Sequence, residues 1–291
     1  MNTFKLETIL LDFEDFLRSH TPKAQSFHPY FQQAVWEMVL NGGKRFRPAL
    51  IFSVVSSYAP AFIKNAYLPA LAMEILHTFS LIHDDLPSID NAPLRRNHPT
   101  LHTKYEEVTA ILSGDFLNSY AFYLLSIAPL SSSAKVALTC ELALNATQMI
   151  VGEALDCKFE NQKLDLQKLQ TIHTLKTAKL IATSLKMGAI IANLPSNTQE
   201  ALWDFGLKLG VFFQIRDDVI DATQTQEEAG KPTQNDANKN NYVNLLGLNG
   251  AIKELESYKQ ELLDILEEFE SENFKSTIKT LLKKYFEPIC L

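Results

Sequence analysis

Apolar residues recur along most of the chain at the three- and four-residue spacing of helices, and no run of evenly spaced short strands interrupts them. Leu6, Ile9, Leu10, Phe13, Phe16 and Leu17 trace the apolar face of a first amphipathic helix. A second covers about 31–40 and stops at Asn41-Gly42-Gly43, a helix terminator. Further helices are expected at about 48–58, 66–85, 104–127, 134–160, 165–192 and 198–222, with two amphipathic ones at about 251–270 and 274–285. Those at 66–85 and 198–222 are apolar around most of their circumference, which argues for central positions. Residues 223–247 are polar and Asn-rich, contain Gly230-Lys231-Pro232, and read as a long functional loop that orders on binding. No repeat or linker divides the chain. The expected fold is all-α: a single domain, 1–291, built as a bundle of about ten or more helices around a central cavity.

Composition narrows the partners. An apolar fraction of 46% suffices for a sizeable core, and a formal net charge of −7 argues against nucleic acid, whose phosphates would be repelled. Cys140, Cys157 and Cys290 show no CxxC spacing and read as thiols in a reducing compartment. The N-terminus carries acids among its apolar residues, unlike a signal peptide, and no apolar run is long enough for a transmembrane helix. A cytoplasmic location is the expectation.

Two aspartate clusters dominate the chemistry: Asp84-Asp85-Leu86-Pro87-Ser88-Ile89-Asp90 and, about 130 residues later, Asp217-Asp218-Val219-Ile220-Asp221. Each closes an apolar helical stretch, and adjacent carboxylates there cost free energy unless a cation neutralises them. Asp217 and Asp221 are four apart on one helical face, Asp218 is one step round, and Pro87 ends the first helix. One such motif could be a solvated helix end. Two, each after a buried helix, point to Mg2+, a hard cation that bridges carboxylates and substrate phosphates. Of six arginines, five (Arg45, Arg47, Arg95, Arg96 and Arg216) lie beside these motifs or in the turn Gly42-Gly43-Lys44-Arg45-Phe46-Arg47-Pro48. That concentration suits an anion site.

In order and spacing, seven segments resemble the polyprenyl (isoprenyl) diphosphate synthases, most closely their bacterial farnesyl-forming members. They are GGKRFRP (42–48), SLIHDDLPSIDNAPLRRNHPT (80–100), GEALD (152–156), KT (176–177), FQIRDDVID (213–221), GK (230–231) and NYVNLLG (241–247). The resemblance implies a Mg2+-dependent prenyltransferase that condenses isopentenyl diphosphate with dimethylallyl and geranyl diphosphate to give the C15 product, by ionisation, condensation and elimination. It implies an isopentenyl diphosphate site at Lys44, Arg47, His77 and Arg96. It implies an allylic diphosphate site on metal ligands Asp84, Asp90, Asp217, Asp218 and Asp221, completed by Arg95, Lys176, Thr177, Gln214, Lys231 and Lys239. Three Mg2+ per site, replaceable by Mn2+, and a homodimer follow from the same likeness, with the helix at 104–127 a candidate for the dimer face. Phe213 would line the allylic chain, Phe79 would floor the pocket, and small Ser80 would leave the path open.

The chain departs from the family pattern in places. Glu153 stands where glutamine is usual, Asn97 and Ala178 where glycine is, and a carboxylate about 4 Å from diphosphate would cost roughly 1–4 kcal/mol. Glu153 could instead pair with a lysine or bind metal; the expectation is that glutamine would be tolerated there. A C10 or C20 product is the nearest alternative. A terpene cyclase needs no second diphosphate site, an HD-type phosphohydrolase leaves the second aspartate cluster unexplained, and a non-catalytic subunit would have lost one cluster.

Overall fold

The computed structural model describes residues 6–24, 26–223 and 240–286, and all structural statements below concern these. The chain groups into two compact units that meet in sequence at Thr139 and Cys140.

In the first unit, α1 (Leu6–Ser19), α2 (Phe31–Leu40) and α3 (Phe46–Tyr58) lead through a short 3-10 turn into α4 (Tyr67–Asp84). A two-stranded antiparallel hairpin, β1 (Leu94–Arg95) and β2 (His98–Pro99), and the single turn α5 (Leu101–Lys104) precede the long α6 (Glu107–Ile127). α7 (Ser132–Phe159) carries the chain across the division. The second unit continues with α8 (Leu166–His173), a π-turn (Thr174–Ala178), α9 (Lys179–Ile191) and α10 (Ser196–Thr223). After residues 224–239 come α11 (Tyr242–Leu246), α12 (Leu248–Glu267) and α13 (Glu272–Phe286). The all-α class stands, and α4 is buried along most of its length as its sequence implied.

The helix foreseen at 165–192 runs from Leu166 to Ile191 and carries a π-turn at Thr174–Ala178, a wider turn that helices adopt mostly at functional sites. Two expectations need correction. The helix foreseen at 104–127 starts at Glu107, because Tyr105, with φ −113° and ψ −89°, leaves the helical region. Within the foreseen loop at 223–247, residues 242–246 are helical: Asn241 caps them by accepting the Asn244 N–H at 2.7 Å.

One buried ion cluster ties the first unit together. Arg45 donates to Glu14 (2.6 Å), to Glu74 (2.8 Å) and to the Val39 carbonyl (2.7 Å), linking α1, α4 and the end of α2. Glu74 sits in an otherwise apolar helix, where a lone acid is tolerable only with such a partner.

Candidate active site

The first aspartate motif is folded by its own backbone. α4 ends before Pro87 and the chain doubles back, so that the Asp90 N–H donates to the Asp84 carbonyl (2.9 Å) and the Ala92 N–H to the Asp85 carbonyl (3.1 Å). The last carbonyls of the helix are thereby satisfied, and two aspartates six apart in sequence stand on one turn. That turn caps the negative end of the helix dipole, where carboxylates are least favoured without a cation.

The three acids differ in placement. Asp85 is buried and accepts Arg95 Nε (2.7 Å) and Nη2 (2.5 Å), while Asp84 is half-buried and Asp90 exposed. Burial pushes the Asp85 carboxyl up and Arg95 opposes it. Arg95 in turn is held above the ordinary arginine value by Asp85, Asp84 and Asp90, against the effect of its burial. It is the fixed cation of this carboxylate turn.

Beside it lies a cationic cluster. Arg96 and Asn97 form the hairpin turn with φ of 55° and 63°, the left-handed angles in which asparagine stands in for glycine. The turn sends the Arg96 guanidinium onto the carbonyls of Gly42 and Met38. A Cβ on Gly43 would lie 2.5 Å from that guanidinium, so Gly43 is what admits the arginine. Burial lowers Arg47 to about 10, with Arg96 adding to the effect and Glu74 opposing it. Burial, then Arg47, Arg96, Arg95 and Arg45, drive His77 well below the usual imidazole range, so it is neutral at pH 7. Arg47, His77 and Arg96 are thus brought together, with exposed Lys44 at the turn leading into them. Arg45 faces its protein partners instead.

Phe79 is buried one turn before the motif and packs edge-to-face on His83, with ring centroids 5.3 Å apart. His83 presses against α6 where only glycine fits: a Cβ on Gly114 would meet its ring at 2.2 Å. Ser80 is half-buried and donates to the His77 carbonyl at 2.9 Å.

In the second unit, α10 is drawn against its neighbours by two glycines. Cβ atoms on Gly206 and Gly210 would fall 2.4 Å and 2.2 Å from the Cα atoms of Ala182 and Ala178. Four residues on, Gln214 accepts Thr177 Oγ1 at 3.2 Å; four further, Asp218 accepts Gln214 Nε2 at 3.3 Å and the Tyr242 backbone N–H at 2.9 Å. Residues 206, 210, 214 and 218 therefore make the packing face. Asp217 and Asp221 stand off it, half-buried, with buried Arg216 on Asp217 at 3.2 Å. Asp218 has protein partners on both oxygens.

Lys176, on the π-turn, is held between Glu153 and Asp156 of α7, each 2.7 Å from Nζ. The half-buried Phe213 precedes Gln214 on α10. Lys231 and Lys239 lie outside the described residues.

These donors suit a hard cation. Among the described residues no three His, Cys, Asp or Glu side chains close a full cage. Mg2+ asks for less: it is usually bound by one or two carboxylates, waters and substrate phosphates. The sequence reading missed the roles of Glu74, Asp85 and Asp156, although a lone acid inside an apolar helix was a signal for the first.

The polyprenyl synthetase family model matches residues 28–284, and the chain belongs to that family. A crystal structure of a Helicobacter pylori geranyltransferase, complexed with magnesium and isoprenyl diphosphate, superimposes with a TM-score of 0.92 at 46% identity, covering 97% of this chain and 96% of that one. A farnesyl diphosphate synthase from Haemophilus influenzae is 34% identical over 95% of each chain. A geranylgeranyl diphosphate synthase from Sulfolobus acidocaldarius is 35% identical over 80% of this chain and 69% of its own.

Proposed function

We propose that this chain is a farnesyl diphosphate synthase, with 1–291 working as one polyprenyl synthase domain, as a family match running from 28 to 284 supports. One observation carries the reading: the backbone bond from Asp90 to Asp84 sets a carboxylate turn with its own arginine directly beside the Arg47–His77–Arg96 cluster. A reaction between two diphosphates needs two anion sites of unlike kind, one on metal and one on fixed cations.

In this reading Lys44, Arg47, His77 and Arg96 hold isopentenyl diphosphate. Asp84, Asp90, Asp217 and Asp221 hold the Mg2+ of the allylic diphosphate, three ions per site with Mn2+ able to substitute, and Asp218 supports them from the packing face. Bound Mg2+ neutralises the leaving diphosphate. Arg95, Lys176, Thr177 and Gln214 complete the allylic site, and Lys231 and Lys239 are assigned to it on the sequence pattern alone. With the leaving group held, the allylic C–O bond ionises and the isopentenyl double bond attacks the cation. A proton then leaves C2 of the former isopentenyl unit for the departing diphosphate, so no protein base is required. Neutral His77 donates a hydrogen bond without adding a charge. Phe79, backed by His83, limits the chain at C15; kinship with a C20-forming enzyme makes this stop the feature to test.

A homodimer belongs to the proposal, because Val108, Ile111, Leu112, Tyr123 and Ile127 leave an apolar face exposed on α6. So does a cytoplasmic location, which the free thiols Cys140 and Cys157 suit. Among the described residues no helix is long and apolar enough to cross a membrane. The reading is tested by pyrophosphate release from isopentenyl and dimethylallyl diphosphate. Release with Mg2+ that stops on chelation is expected; release that persists in a chelator contradicts it.

A further inference from the structure

Glu153 and Asp156 lie three apart on α7, and both reach the same ammonium. Their spacing from the π-turn has no slack. A Cβ on Gly152 would lie 2.4 Å from the Lys176 backbone nitrogen and 2.8 Å from its Cα, so α7 and the π-turn touch backbone to backbone. Lys176 therefore rises directly beside Glu153. Among the described residues, two carboxylates take two of its three N–H groups, and one is left for a ligand. The two carboxylates outweigh burial and hold the lysine above its ordinary pKa, so it stays charged throughout the working range. Two carboxylates on one ammonium still leave a net negative charge. A neutral glutamine at 153 would leave the group balanced. Among the described residues, the Glu153 oxygen not on Lys176 accepts the weak Cys157 S–H, at 3.5 Å, and pairs with no second cation.

We propose that Glu153 positions Lys176 and, through its charge, makes diphosphate binding at this end of the site more dependent on divalent cation than a neutral residue would. The inference rests on the assignment of Lys176 to the allylic diphosphate. A phosphate oxygen approaching the third N–H meets the excess negative charge of the pair, and a bridging divalent cation removes that penalty. The glutamine of Glu153→Gln keeps an oxygen that can accept from Lys176 and removes only the charge.

The test is calorimetric binding of inorganic pyrophosphate, with chelator and with saturating Mg2+, to the full chain and to Glu153→Gln and Glu153→Asp. Glu153→Gln should bind pyrophosphate about five- to tenfold tighter in chelator and about equally in Mg2+, while Glu153→Asp, which keeps the charge, should follow the wild type. Glu153→Gln binding like the wild type in both conditions, or more weakly in both, overturns the inference alone. A wild-type chain that binds no pyrophosphate even with Mg2+ overturns the diphosphate reading and the inference with it. Should Glu153→Gln fail to fold, Glu153→Ser removes the same charge with less bulk and is held to the same outcomes.

Discussion

Asp218 accepts the backbone N–H of Tyr242 at 2.9 Å, so the middle acid of the second cluster fastens α11 to α10. Its neighbours Asp217 and Asp221 stand off that packing face. The cluster thus divides into one acid that fastens two helices and two that the proposed function assigns to Mg2+.

From that division, Asp218→Ala should destabilise the fold by about 1–3 kcal/mol, because a buried N–H is left unsatisfied. Asp217→Asn, which keeps an acceptor for buried Arg216, should cost less stability than Asp218→Ala and lower turnover by several orders of magnitude. Denaturant melts alongside steady-state rates separate the two. Equal melting midpoints for both variants would contradict the assignment.

His173 supplies a pH dependence. It is buried beside the Tyr242 ring, and burial lowers its pKa to about 4, with Lys176 adding and Asp156 opposing. The folded state therefore binds fewer protons than the unfolded one between about pH 6.5 and 4. The stability held by the neutral ring is full above pH 6.5 and falls as pH drops, by up to about 3 kcal/mol at pH 4, with no further loss from this group below that. Urea midpoints at pH 7 and pH 5 should differ less in His173→Leu than in the wild type.

Arg96→Ala should raise KM for isopentenyl diphosphate about 10- to 100-fold, the worth of one charge-assisted anion contact, and leave KM for the allylic substrate close to wild type. Initial rates with each substrate varied in turn decide this. A rise in the allylic constant alone would mean the two sites are exchanged.

Which of these relations the sequence carried depends on the range of the contact. Helix positions and the aspartate clusters follow from local periodicity and were readable directly. The separation of Asp218 from Asp217 was also present in the four-residue series 206, 210, 214 and 218, but glycines signal a packing face only once the opposing Ala178 and Ala182 are known. The hairpin at 94–99 has strands of two residues, too short for any period to register, and its turn puts a non-glycine residue, Arg96, at positive φ. The π-turn adds one residue to an otherwise regular helix, and the residue it packs against, Gly152, is distant in sequence. Glu153 shows the same limit: its departure from glutamine was visible, while its partner Lys176 was not.

Chain length is tested at Phe79. Phe79→Ala opens the space below Ser80 and should yield C20 or longer products, at about 3–5 kcal/mol of stability for the lost ring. Mass spectra of the variant's products that still end at C15 would place the stop elsewhere.

The most direct measurement of the central claim is the mass spectrum of the product formed from isopentenyl and geranyl diphosphates by the purified chain with Mg2+. The account predicts farnesyl diphosphate as the main product, absent with chelator and nearly absent in Asp84→Ala. No condensation product, or farnesyl diphosphate formed equally well by Asp84→Ala, would contradict it.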